Sequence, residues 1–122
     1  MVIPSIGEVV LVPFPFSDIS ASKVRPAVCL ALVGRGDCMC QITSNAYGDP
    51  HAVPLTLADF ATGRLLVSSF VRPGKLFTGN DKLLVRSVGK LNDPAFERII
   101  RAVVNLIPNL SDWGSSGGHN AS

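Results

Sequence analysis

Residues 25–44 read "RPAVCLALVGRGDCMCQITS", two apolar runs folded around a short polar turn. The run 26–33 is continuously apolar but too short for a stable helix, so 27–33 reads as a buried strand. Gly34-Arg35-Gly36-Asp37 supplies the turn chemistry, and 38–44 reads as a strand returning antiparallel to the first. Counting back through that hairpin brings Arg25 and Thr43 to neighbouring rungs at one end of the sheet. A guanidinium grips a phosphate with two charge-assisted hydrogen bonds at once, and a hydroxyl beside it completes a workable oxyanion site. The alternative for Arg25 is that it caps its loop or pairs with an acid such as Asp18. For Thr43, Ser44 and Asn45, it is that a strand simply ends there in small polar residues.

Upstream, 7–14 ("GEVVLVPF") is a Val-rich strand closed by prolines. A Pro- and Ser-rich loop then carries Ser17, Asp18 and Lys23 up to Arg25, longer than an ordinary hairpin connection. Downstream, Gly48-Asp49-Pro50 turns the chain and 52–56 is a short strand. Residues 57–63 ("LADFATG") make a single helical turn closed by Gly63, and 64–73 makes a strand closed by Pro73-Gly74. Residues 82–91 form another strand, with Leu84, Arg86 and Val88 on one face and Leu83, Val85 and Ser87 on the other.

The period then changes. Phe96, Ile99, Ile100, Val103, Val104 and Ile107 fall on one helical face, with Asp93 as N-cap, Pro94 at the first helical position and Pro108 as the stop. Arg98 and Arg101 lie on the opposite, solvated side. The expectation is a mainly β domain over 1–108, a small, strongly bent sheet or barrel of about six short strands with a C-terminal helix. The Gly/Ser-rich tail 109–122, which includes His119, is expected to be disordered.

The chain has 122 residues, 47% of them hydrophobic and only 16% charged. That is more apolar side chain than one small domain readily hides, which predicts a subunit interface. A net charge of +2 permits nucleic-acid binding only if the 11 Lys and Arg residues are unevenly placed. The longest apolar run falls far short of the roughly 20 residues of a membrane-spanning helix, and no secretory signal is visible. Cys29, Cys38 and Cys40, an odd number in apolar strands, fit core packing in a reducing cytoplasm better than disulfides. Cys38 and Cys40 share a strand face, but no further ligand cluster accompanies them to make a metal site. No P-loop, dinucleotide-binding, zinc-protease or serine-hydrolase motif occurs. His51, two residues from Asp49, is either a general base or a plain surface histidine.

Four blocks in register, "GEVVLVPFPFSD…SKVRPAVCL", "CQITSNAYGDPHAVPL", "LLVSSFVRPGKLFT" and "VGKLNDPAFERIIRAV", resemble the PemK/MazF-type toxins of toxin–antitoxin pairs. The resemblance runs from about residue 5 to 107. It implies an SH3-like barrel, related to that of the gyrase-poison toxins, assembled as a cytoplasmic homodimer. It also implies a metal-independent endoribonuclease, needing no cofactor, that cuts single-stranded mRNA and is silenced by an antitoxin with a DNA-binding N-terminus.

Carried over, Arg25 takes the place of the catalytic Arg, and Thr43 of the Thr that holds the scissile phosphate. Ser44 and Asn45 support them, Arg72 stands where some members carry a further Arg, and Lys75 contacts a flanking phosphate. Ser17, Asp18 and Lys23 belong to the loop that lines the RNA groove, where Phe14 and Phe16 either stack on bases or plug the barrel. One departure is Gly74, which stands where some members place an acid two positions after that Arg. The competing functions are a catalytically degenerate RNA- or antitoxin-binding member and a gyrase-poison-like toxin.

Overall fold

The computed structural model describes residues 4–13, 24–34, 36–46, 48–80 and 84–108. Phe14, Phe16, Ser17, Asp18, Lys23 and the tail from 109 therefore lie outside the described residues. The elements in order are β1 (Glu8–Pro13), β2 (Val24–Leu32), β3 (Asp37–Thr43) and β4 (Val53–Leu55). A 3-10 turn (Leu57–Asp59) follows, then β5 (Phe60–Gly63), β6 (Ser69–Gly79), β7 (Arg86–Leu91) and α1 (Asp93–Leu106). The strands form one antiparallel sheet in the order β4-β6-β3-β2-β1-β7-β5, curled into a half-barrel with α1 packed against it. The expected mainly β architecture with one C-terminal helix is the one the chain adopts.

The central strands are buried on both faces, which explains their unbroken apolar runs. Val9, Val28, Cys40 and Ile42 join Val71, Leu91, Ala95 and Ile99 in a core beneath α1. Their neighbours Val10, Ala27, Cys29 and Met39 join Val12 and Leu84 in a second cluster. The two clusters alternate residue by residue along β1, β2 and β3, as the pleat requires.

Several boundaries differ from the sequence expectation. The strand expected over 82–91 begins at Arg86, and Leu84 and Val88, expected on one face, join different clusters: Leu84 the second one, Val88 the core beneath α1. Seven strands are present among the described residues, one more than expected because 60–63 forms β5; 64–68 is a connection, and β6 runs on through Pro73-Gly74 to Gly79. Pro73 does not stop that strand because it sits in an irregularity of the ladder, between the Ile42–Val71 and Cys40–Leu76 pairs, where no donor is required of it. Residues 57–63 hold only one 3-10 turn and then join the sheet as β5. The helix cap is Asn92, not Asp93: the Ala95 N–H donates to Asn92 Oδ1 at 3.0 Å. Asn92 also donates from Nδ2 to the Ala58 carbonyl at 2.9 Å and from its backbone N–H to the Asp59 carbonyl at 2.9 Å. One residue thus starts the helix and pins it to the 3-10 turn.

The helical face is buried unevenly. Ala95 and Ile99 are enclosed, while Val104 and Ile107 remain 58% and 66% exposed, and Leu76 on β6 is 40% exposed. Cys29 and Cys40 are buried and Cys38 is half-buried, and all three are free thiols. Burial pushes the Cys29 thiol up to about 11 and the Cys40 thiol up to about 12, and Cys40 Sγ donates to the Arg72 carbonyl at 3.0 Å.

Two outcomes follow from this packing. Asn92→Ala should lower unfolding free energy by about 1 kcal/mol in urea titrations, more than Asp93→Ala, which removes only a first-turn charge. In native protein at pH 8, a thiol reagent should modify Cys38 alone, with Cys29 and Cys40 reacting only in denaturant. Equal reactivity of all three thiols in the folded state would contradict the burial described.

Candidate active site

A cleft of about 600 Å³ opens where β2 begins and β3 ends, under the connection from β5 to β6 and beside β7. Arg25, Thr43 and Ser44 reach it from the hairpin, Arg64 and Leu65 from the connection, and Arg86 from β7. The described lining holds three guanidiniums and several hydroxyls on apolar walls, and no carboxylate. Among the described residues no salt bridge engages any of the three; Arg72, Arg98 and Arg101 take the paired acids instead. A low-dielectric concavity with one sign of charge concentrates field and favours an anion.

Each guanidinium is placed by backbone pairing. Arg25 lies opposite Val12 on β1, and Arg86 lies opposite Leu11 on the same strand. Ala27 pairs with Gln41 across the hairpin, and Arg25 and Thr43 each stand two residues further toward the same end. Val24 and Arg25 both line the cleft, so neither enters the core. Arg64 is set by a close crossing of β5 over β7. Gly63 has φ +69°, and a Cβ there would strike the Val88 carbonyl, so only glycine lets the strands approach. The Arg64 N–H then donates to that same carbonyl at 3.1 Å.

The two hydroxyls have different duties. Thr43 is only 5% exposed, and its Oγ1 donates to the Asn45 carbonyl at 3.1 Å while accepting from the Asn45 N–H at 3.2 Å. It therefore locks the turn that leaves β3, and it reaches an anion only by turning its proton away from residue 45. Ser44, exposed on that turn, also borders the cleft.

Arg72 and Lys75 stand on β6 outside the cleft lining, as does Asn45 on its turn. Arg72 Nε donates to Asp49 Oδ2 at 3.1 Å, so its carboxylate partner comes from the turn after β3 and not from position 74. The His51 backbone N–H donates to Asp49 Oδ1 at 2.9 Å, while the residue itself is exposed. That N–H, and then the Arg72 guanidinium, hold the Asp49 carboxyl below its usual range.

The architecture matches solved toxin structures along nearly the whole chain. MazF from Deinococcus radiodurans superposes with a TM-score of 0.67 at 20% identity, covering 87% of this chain and 97% of that one. The fold is that of the MazF toxins. A mycobacterial endoribonuclease in complex with its cognate antitoxin matches with a TM-score of 0.64 at 13% identity, over 87% of this chain and 96% of that one. The Mycobacterium tuberculosis toxin MazF-mt6 matches at 0.62 and 20% identity, over 80% and 93%. No family model matches the sequence, and no curated protein matches it.

Within this MazF-like frame the structure brings Arg25, Thr43 and Ser44 together and adds Arg64 and Arg86, which sequence reasoning did not single out as site residues. Arg86 carried a partial signal, a cation directly following the apolar residues Leu83, Leu84 and Val85. Arg64 carried one only in the Gly63 before it. Both converge on Arg25 through contacts far apart in sequence.

The Asp49–Arg72 pair has a pH signature. A carboxyl whose folded pKa is depressed stabilises above its unfolded value, near 3.8, and loses that contribution as pH falls through the folded value. Asp49→Asn should therefore destabilise the protein at pH 7 and cost progressively less below about pH 4. Denaturant midpoints across pH 3–7 measure this, and a pH-independent cost would contradict it.

Proposed function

We propose that the chain is the toxin of a toxin–antitoxin pair and cuts single-stranded RNA without a metal, using the cleft around Arg25. The observation that carries this reading is the cleft whose described lining holds no carboxylate, in which Arg25, Arg64 and Arg86 surround the Thr43–Ser44 strand end on a MazF-like fold. Structural neighbours described as an endoribonuclease with its cognate antitoxin and as MazE–MazF complexes support the activity and the partner.

In the proposed reaction the ribose 2′-hydroxyl attacks the adjacent phosphorus as its proton leaves. The bond from phosphorus to the 5′-oxygen breaks, and that oxygen takes up a proton. The products are a 2′,3′-cyclic phosphate and a 5′-hydroxyl. Arg25, a permanent cation, stabilises the charged phosphorane, and Arg86 and Arg64 hold flanking charge. The Thr43 and Ser44 hydroxyls hydrogen-bond a non-bridging oxygen and fix the in-line geometry. DNA, without a 2′-hydroxyl, binds and is not cut. The exposed apolar side chains Leu76 on β6, Val104 on α1 and Ile107 just after it are the surface a homodimer would cover.

Arg25→Ala should lower cleavage of long single-stranded RNA in EDTA by at least about a hundredfold, as loss of one oxyanion donor does elsewhere. Circular dichroism and the oligomeric state should stay unchanged. Wild-type cleavage by that variant, or products with 5′-phosphates, would overturn the reading.

A further inference from the structure

A second concavity, of about 470 Å³, lies against the first and shares with it the wall formed by Arg64, Leu65, Leu66 and Val67. Its other side is Leu55 at the end of β4, Leu57 in the 3-10 turn and Phe60 at the start of β5. It is therefore a slot along the seam of the half-barrel, between the two edge strands of the sheet. Leu57, Leu66 and Val67 are 66%, 87% and 61% exposed, an apolar rim that costs free energy until something covers it. The volume suits one small ligand group. The polar groups are few: the Thr56 hydroxyl already leans on Asp59 Oδ2 at 3.4 Å, and Ser68 borders the far end.

We infer that this slot is a nucleobase subsite, with Arg64 holding the phosphate that links its base to the nucleotide at Arg25. The inference rests on the RNA-cutting reading and deepens it. Three observations select this occupant. The slot continues the cationic cleft across a single wall, so a strand leaving Arg25 over that wall enters it directly. The one charged side chain in the slot's described lining is Arg64, and it is common to both spaces. A polynucleotide alternates an anion with a flat apolar ring, which is the alternation that cleft and slot present. With so few donors and acceptors, the slot holds its base by burial and stacking, and it discriminates by size rather than by reading a base edge.

The test uses fluorescent 2′-O-methyl RNA oligomers of about ten nucleotides, which cannot undergo 2′-hydroxyl attack, each with one abasic position. The wild-type protein should bind most of the series alike and lose about tenfold in affinity at one position, the cost of an unstacked base. Leu66→Ala, at a site too exposed to support the fold, should shrink that loss to about twofold or less. Arg64→Gln should lower the salt slope of binding by about 0.7, as loss of one phosphate contact on a single strand does. Arg25→Ala should keep the abasic loss at the same position.

A flat abasic profile with measurable binding overturns the slot, as does a loss that Leu66→Ala leaves intact. If Leu66→Ala instead weakens binding of an acidic, apolar peptide and not the RNA loss, the slot belongs to a peptide partner and the inference falls. Cleavage of unmodified RNA is scored separately. Cleavage with a flat profile removes the slot alone, an abasic loss without cleavage removes the nuclease reading alone, and no binding removes both.

Discussion

The two edge strands of the sheet, β4 and β5, stand at opposite ends of the strand order yet are separated in sequence only by Thr56–Asp59. So short a link cannot cross a flat seven-stranded sheet, whose strands lie about 4.8 Å apart. The sheet must therefore curl until its edges nearly meet. The capping box between Thr56 and Asp59 tightens the link, and Asn92 ties the helix to its end. Closure brings the β5–β6 connection over the open end of the β2–β3 hairpin, where β1 already holds Arg86 of β7 near Arg25. Without it Arg64 would lie beyond β7, remote from Thr43.

The fold also sorts the charges. Asp59 meets Arg98 on the helix, Glu97 meets Arg101 along it, and Asp49 meets Arg72 across the β3–β6 border. These acids sit away from the cleft, so the three arginines in it share a space with hydroxyls and leucines. The small net charge of the chain says nothing about this local field. Holding like charges together costs the free protein stability, and an anion between them would relieve that cost. Surface pairs such as Arg101–Glu97 add little to stability.

Much of this was legible before the fold. The hairpin 25–44 was readable because both of its strands are buried on both faces, which leaves an unbroken apolar run and a turn between. Counting placed Arg25 and Thr43 on neighbouring rungs at one end, but not the irregularity between Cys29 and Ala31 that sets their register. The helix was readable from its period, though its cap shifted by one residue: Asn92 and Asp93 are both good caps, and the choice is made by tertiary bonds to Ala58 and Asp59. Pro73 misled because a proline inside a ladder irregularity loses nothing, and no local pattern announces the irregularity. Arg64 and Arg86 were hidden for a further reason. Arg86 meets Arg25 because β1 pairs with both of their strands, and Arg64 because the sheet closes; periodicity within a strand carries neither kind of information.

The geometry also shifts the weight of the chemistry proposed for the site. Thr43 was expected to act as a phosphate ligand in its own right, but its hydroxyl is engaged on both sides by residue 45. Its first effect is to hold the strand end rigid, so that Ser44 and the backbone leave the sheet in one fixed direction. A rigid strand end facing permanent cations is suited to stabilising charge more than to moving protons, since arginine is a poor acid and a hydroxyl a poor base. On the proposed reading, the rate then comes mainly from holding a phosphorane in a preorganised cationic cleft with the 2′-oxygen in line. Such a site requires that the strand be held on both sides of the scissile phosphate. A single guanidinium cannot meet that requirement, and the convergence of Arg64 and Arg86 on Arg25 supplies the contacts that do.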